Sequence, residues 1–246
     1  MFLKINLNNY KVKEIFKSVL LSLQKNNFSL NNSSFYLIDK TIPDFSVLDF
    51  SKLKNNSVIV FNNISKKTLF EFSDFSKLKN KKIIFYFKNV SSLNFVRDFK
   101  VSKFSYNNIF FLEKSLLNLS NLFFDLSDLK YNQELFLKKE STINQNDLLL
   151  LNQSQKAFIN IVNNHIFKET ISNTTIKNIL KDGSFSRYDG MINIIKAGDF
   201  SKAYLETNSM LLSDIAKSIS IPMLEIVPKN VKATHAATVE HVTEDQ

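Results

Sequence analysis

Polar and apolar residues alternate in short runs along most of this chain, and those runs predict strands far more often than helices. The one helical pattern comes first. Residues 11–24, KVKEIFKSVLLSLQ, set Val12, Ile15, Phe16, Val19, Leu20 and Leu23 at helical spacing with lysines and serines opposite. This is an amphipathic helix that needs a partner surface, and packing on its own domain is favoured over a membrane because the polar face is no lysine stripe. Short β-prone runs follow at 34–39 (SFYLID), 57–61 (SVIVF), 82–87 (KIIFYF) and 108–113 (NIFFLE), separated by Asn, Ser and Lys clusters. The segments between them, 66–80 and 115–129, read as short helices or coil.

From about residue 131 the strand pattern is more uniform: NQELFLKK, DLLLLNQ, AFINIV, TTIKNIL, GMINIIKA, KAYLETNSMLL, PMLEIV and VKATHAATVEHV. The chain therefore divides into residues 1–130, a small α/β region of helix plus short strands, and residues 131–246, all strand. No fixed repeat period is measurable by eye. Gly183, Gly190 and Gly198 are the only glycines and lie close together, which places them at tight turns needing a positive φ. Pro222 and Pro228 bracket an apolar run read as a strand stopped at both ends. In the closing run, Val231, Ala233, His235, Ala237, Val239 and His241 share one parity and one sheet face, with Lys232, Thr234 and Glu240 opposite.

Composition narrows the function. At 246 residues and 44% hydrophobic, the chain can bury a sizeable core. No apolar run reaches bilayer-spanning length and the N-terminus lacks a signal-peptide pattern, so a soluble cytoplasmic protein is expected. The net charge is +9, but Arg97 and Arg187 are the only arginines among 32 basic residues. Lys, Asn, Phe and Ile share AT-rich codons, so the basicity reads as base-composition drift, and no nucleic-acid partner is expected. Cysteine is absent, which excludes disulfides, a thiolate nucleophile and any Cys-held zinc or cluster in this chain alone. Phosphate-loop, dinucleotide, HExxH, CxxC and GxSxG motifs are also missing.

The ordered blocks SRYDGMINII, NSMLLSD, PMLEI and KNVKATHAATVEHVTEDQ resemble the C-terminal half of the core of the SufD family, scaffold subunits of the SUF iron–sulfur cluster assembly system. The resemblance is specific over about residues 155–246. It implies a mainly β chain whose core is a right-handed parallel β-helix, and a non-catalytic role beside a cysteine-bearing SufB-like subunit and a SufC-like ATPase. It also implies that His235 lies at the SufB contact and is a candidate iron ligand, with Glu225 flanking it as a weaker one, any nascent cluster being shared with SufB. Ala233 stands where the family often has cysteine and Ala236 where it has glycine, so direct metal binding is weakened. On residues alone, a strand histidine beside Ala and Thr is more often a packed or interface residue than a ligand.

The implied interface comprises Met223, Glu225, Lys232, Thr234, His235, Thr238, Glu240 and His241. Arg187, Asp189 and Asp214 read as single charged residues near turns. The family continues with a helical tail that docks SufC, so a chain ending at Gln246 is expected to bind SufC poorly. Its exposed last strand is expected to pair with SufB, or with a second copy where SufB is missing. From another class, a β-helix polysaccharide hydrolase or lyase stays open, since two carboxylates can meet from distant strands.

Overall fold

A computed structural model describes residues 10–26, 33–39, 46–48, 56–72, 81–100, 104–124 and 128–242, together with Phe28 and Leu53. After α1 (Tyr10–Lys25) the described chain is a succession of sixteen strands, β1 (Ser34–Asp39) to β16 (Lys232–His241). Odd-numbered strands form one parallel eight-stranded sheet and even-numbered strands the other. Each turn of the chain, here called a coil, adds one strand to each sheet. The result is a parallel β-helix, as the resemblance implied.

The two segments read as short helices or coil contain β4 (Lys67–Phe72) and β8 (Leu116–Phe124). β8 is an unbroken alternation of buried and half-exposed residues, a period-two pattern set in a stretch whose Leu and Asn look neutral locally. The change expected at residue 130 falls inside β9 (Asp128–Leu137), and β7 (Phe104–Glu113), β9 and β11 (Lys156–His165) pair in register across it. The repeat hidden from the eye is irregular: Leu93 pairs with Leu117, whereas Phe185 pairs with Lys217. Corner loops of unequal length blur the period.

The corners also correct the glycine reading. No glycine has a positive φ; Asn56, Asn63, Asn89, Lys114, Glu140, Gln153 and Asp182 are among the residues that do. Asparagine and aspartate tolerate the left-handed region through local side-chain bonding, so corner turns need no glycine. Gly190 instead sits inside β13 (Phe185–Ile194), where a Cβ would meet the Tyr188 ring at 2.6 Å. Its role is to admit that ring. Pro222 likewise does not stop a strand: β15 (Lys217–Ile226) runs through it, at the edge of its sheet, where a missing N–H is tolerated.

The inward faces of both sheets make one apolar core, with Phe61 stacked on Phe87 (4.7 Å between centroids) and Phe99 on Phe123 (4.7 Å). A second, smaller core lies outside the odd sheet, where α1 lays Val19 and Leu23 on Val58, Val60, Ile84, Tyr86 and Phe111. Strand β3 (Ser57–Asn62) is buried on both faces for that reason. The amphipathic helix thus packs on its own domain, and Lys138 ties it down by donating to Ser22 (3.0 Å) and Glu113 (3.3 Å). Outside the even sheet, Asn94, Asn118, Asn144 and Asn173 form an amide ladder with bonds of 2.8–2.9 Å between successive coils. None of the described helices is long and apolar enough to cross a membrane.

Candidate functional site

The last coil carries the residues singled out in the sequence. β14 (Lys202–Leu211) pairs with β16 so that Ala233, His235, Ala237 and Val239 stand opposite Ala203, Leu205, Thr207 and Ser209, four inward-facing, buried residues. His235 therefore has the inward parity of its sheet, yet it is exposed because no described strand lies beyond β16. Lys232, Thr234, Thr238 and Glu240 point outward from the same strand. Thr238 donates to Asn208 (2.6 Å), and with Glu240 it edges a depression of about 410 Å³ bounded by Lys177 and Met210.

Met223 and Glu225 lie on β15, in the other sheet, opposite the outward-facing Met191 and Asn193. The eight positions thus spread over three surfaces: outside the odd sheet, outside the even sheet, and the inward parity of β16. Glu225 faces outward from one sheet and His235 inward from the other, so parity places them on different faces. His241 is six residues along the same strand from His235, and its Nε2 is 3.1 Å from Asp214 Oδ1 in the turn before β15. That pair is exposed and contributes little. Among the described residues no group of three or more His, Cys, Asp or Glu side chains is close enough to hold a metal ion. The last coil is apolar on both sides: Leu224, Ile226 and Val239, which share the inward parity of His235, are each at least 38% exposed, and Ile219, Ile221 and Met223 are exposed outside the odd sheet. Side-chain alternation that buries apolar residues elsewhere leaves them on the outside here.

Three polar groups escaped the sequence reading. His165 is fully buried at the end of β11 (Lys156–His165), with Nδ1 2.7 Å from Thr170 Oγ1 and Nε2 2.8 Å from Ser172 Oγ. Burial pushes its pKa down to about 4, so it is a neutral structural histidine. Its hydroxyl partners five and seven residues on were the available signal. Asp147 lies inside the β-helix, where burial pushes its pKa up to about 7 against hydrogen bonds from Gln145 (2.8 Å) and Asn121 (2.7 Å). Arg97 and Glu71, wholly buried, pair at 2.5 Å, and Arg97 also donates to Tyr106 (2.9 Å). Nothing in local spacing marks that pair, since its partners lie one coil apart. Arg187 and Asp189, read as single charges near turns, form an ion pair in the middle of β13.

The described residues thus form a parallel β-helix, a β-solenoid whose last coil is apolar and carries a histidine on its rim. The family model for the SufBD core domain of SUF-system FeS cluster assembly matches residues 51–246. The chain belongs to this SufBD core family. Among curated proteins it is similar to an iron–sulfur cluster assembly SufBD family protein of Mycobacterium leprae, 28% identical over 82 residues, which is 33% of this chain and 9% of the relative. A SufBD family protein of Mycobacterium tuberculosis is 27% identical over 82 residues, 33% of this chain and 10% of the relative. The aligned segment spans about a tenth of these relatives.

Proposed function

We propose that this chain is a SufD-like scaffold subunit of SUF iron–sulfur cluster assembly. It pairs with a cysteine-bearing SufB-like subunit over its last coil and works with a SufC-like ATPase. The observation that carries this reading is the match to the SufBD core over most of the chain, joined to a closing strand, KATHAATVEH, that follows the SufD form. The absence of cysteine supports the supporting role, because thiolates for a cluster have to come from a partner. Edge strands β15 and β16 supply unpaired backbone groups, and their exposed isoleucine and valine side chains supply apolar area, which together suit pairing with another subunit.

His235 reaches the partner from the rim, where a neutral imidazole can ligate iron beside the partner's thiolate or fill a pocket at the contact. Co-expression with SufB-like and SufC-like subunits tests the proposal by copurification and by iron and sulfide content. The expected result is a complex that assembles with wild type and with His235→Ala, and that loses iron only in the variant. A chain that runs alone in the presence of both subunits contradicts the scaffold reading. Equal iron in wild type and variant contradicts the ligand role of His235.

A further inference from the structure

Outside the odd sheet lies a groove of about 610 Å³ that the proposed subunit contact does not use apart from Met223 at its edge. Its floor is two register lines. Lys130, Phe158 and Arg187 are successive partners on β9, β11 and β13; Asn132, Asn160 and Asp189 form the next line. Neighbouring strands are about 4.8 Å apart, so an aromatic ring 45% exposed stands between two cations, one strand away on either side.

Two details mark this groove as more than a solvated face. Arg187 is one of two arginines in a chain that otherwise uses lysine, and the other, Arg97, is accounted for by its buried pair with Glu71. Arg187 is held by Asp189, its Nε donating to both carboxylate oxygens at 3.0 and 3.1 Å, and its two terminal amino groups bond no described residue. An arginine fixed by its Nε presents those terminal donors as a ready fork for a planar or tetrahedral anion, which lysine cannot do. A separate, shorter asparagine row outside the odd sheet supplies the second detail. Asn132 donates to Asn107 (2.8 Å), but Asn160, next on the line, has no side-chain partner among the described residues. The row stops where the groove begins, leaving an amide free for a ligand.

We propose that this groove binds a nucleoside phosphate. The base lies on Phe158, the phosphate sits on the Arg187 fork with Lys130 beside it, and Asn160 and Asp189 take the base edge or the ribose hydroxyls. The volume suits a mononucleotide, and the combination of one exposed ring, two cations and two short polar groups matches its three chemical parts. This inference rests on the groove alone and stands or falls separately from the scaffold reading.

Isothermal titration of the full chain with adenosine 5′-diphosphate, adenosine and inorganic pyrophosphate, without magnesium, tests it. ADP is expected to bind saturably and at least about tenfold tighter than adenosine or pyrophosphate, which each engage only part of the site. Arg187→Gln should weaken ADP by about tenfold or more without moving adenosine, and Arg187→Lys should recover only part of the loss. Phe158→Ala should weaken both ADP and adenosine, and Lys177→Gln, on the other sheet, neither. All three side chains are at the surface, so a thermal melt serves as the folding control. Absence of saturable ADP binding, pyrophosphate binding as tight as ADP, or ADP binding unmoved by Arg187→Gln and Phe158→Ala would each overturn the proposal.

Discussion

The early coils and the late coils share one backbone ladder and differ in what fills it. Between β3 and β8 the interior is aromatic: Phe61, Phe85, Phe87, Phe95, Phe99, Phe110 and Phe123 are fully buried, and Arg97 sits among their rings on Glu71. From β11 onward the interior is narrower in chemistry, aliphatic residues alternating with hydroxyls and amides such as Ser172, Thr174, Asn178 and Thr207, with the Tyr188 ring and the His165 imidazole the fully buried rings among the described residues there. The early coils are sealed on one outer face by α1, and the late coils turn apolar side chains outward. A solenoid needs only in-register ladders to keep its shape; the side chains decide which end is closed and which end is available to others.

The largest expected effect lies in the early coils. Arg97→Ala leaves Glu71 buried without its partner and should cost about 3–5 kcal/mol in urea unfolding, while the double variant Glu71→Leu/Arg97→Met should recover most of that loss. If Arg97→Ala melts like wild type, the pair is not buried as described. In the late coils, Gly190→Ala drives a methyl group into the Tyr188 ring and should cost about 1–3 kcal/mol. Equal stability there would mean that the ring moves aside freely.

Two buried groups, one at the start of the late coils and one in the coil just before them, should also answer pH in opposite senses. His165 is held far below its ordinary value, so the unfolded chain takes up a proton first, and its contribution is present above about pH 6.5 and lost as pH falls toward about 4. Asp147 is held above its ordinary value, so its contribution is present below about pH 3.9 and lost as pH rises through about 7. The melting temperature of His165→Asn relative to wild type should therefore improve on going from pH 7 to pH 4.5, and that of Asp147→Asn should improve on going from pH 5 to pH 8. Parallel pH curves for variant and wild type would remove these groups from the account. The smallest stability effect is expected at the surface: Ile221→Glu should change unfolding by less than about 0.5 kcal/mol and still abolish copurification with a SufB-like subunit.

The helix and most strands of this fold are legible because their periods, 3.6 and 2, need only a dozen residues to declare themselves. β4 and β8 are not, since KTLFEF and LLNLSNLFF become strands through pairing with neighbours about 25 residues away. Corner turns were misread for a chemical reason: this chain places Asn, Lys and Glu in the left-handed region, and two of its three glycines, Gly190 and Gly198, serve close contacts inside. At the site, the parity of His235 was readable from alternation alone. The distance between Glu225 and His235 in the fold was not, because which sheet receives each strand is a property of the whole coil. Asp147 and the Glu71–Arg97 pair were unreadable because inward-facing polar residues resemble outward-facing ones until the ladder assigns them a side, and for His165 the nearby hydroxyls of Thr170 and Ser172 were the one local sign.

Hydrogen exchange followed by mass spectrometry, with and without a purified SufB-like subunit, tests the contrast between a sealed end and a docking end most directly. The account predicts that amides of residues 217–241 gain protection when the subunit is added while the described strands between residues 57 and 124 do not change. Protection appearing in residues 57–124, or nowhere, would contradict it.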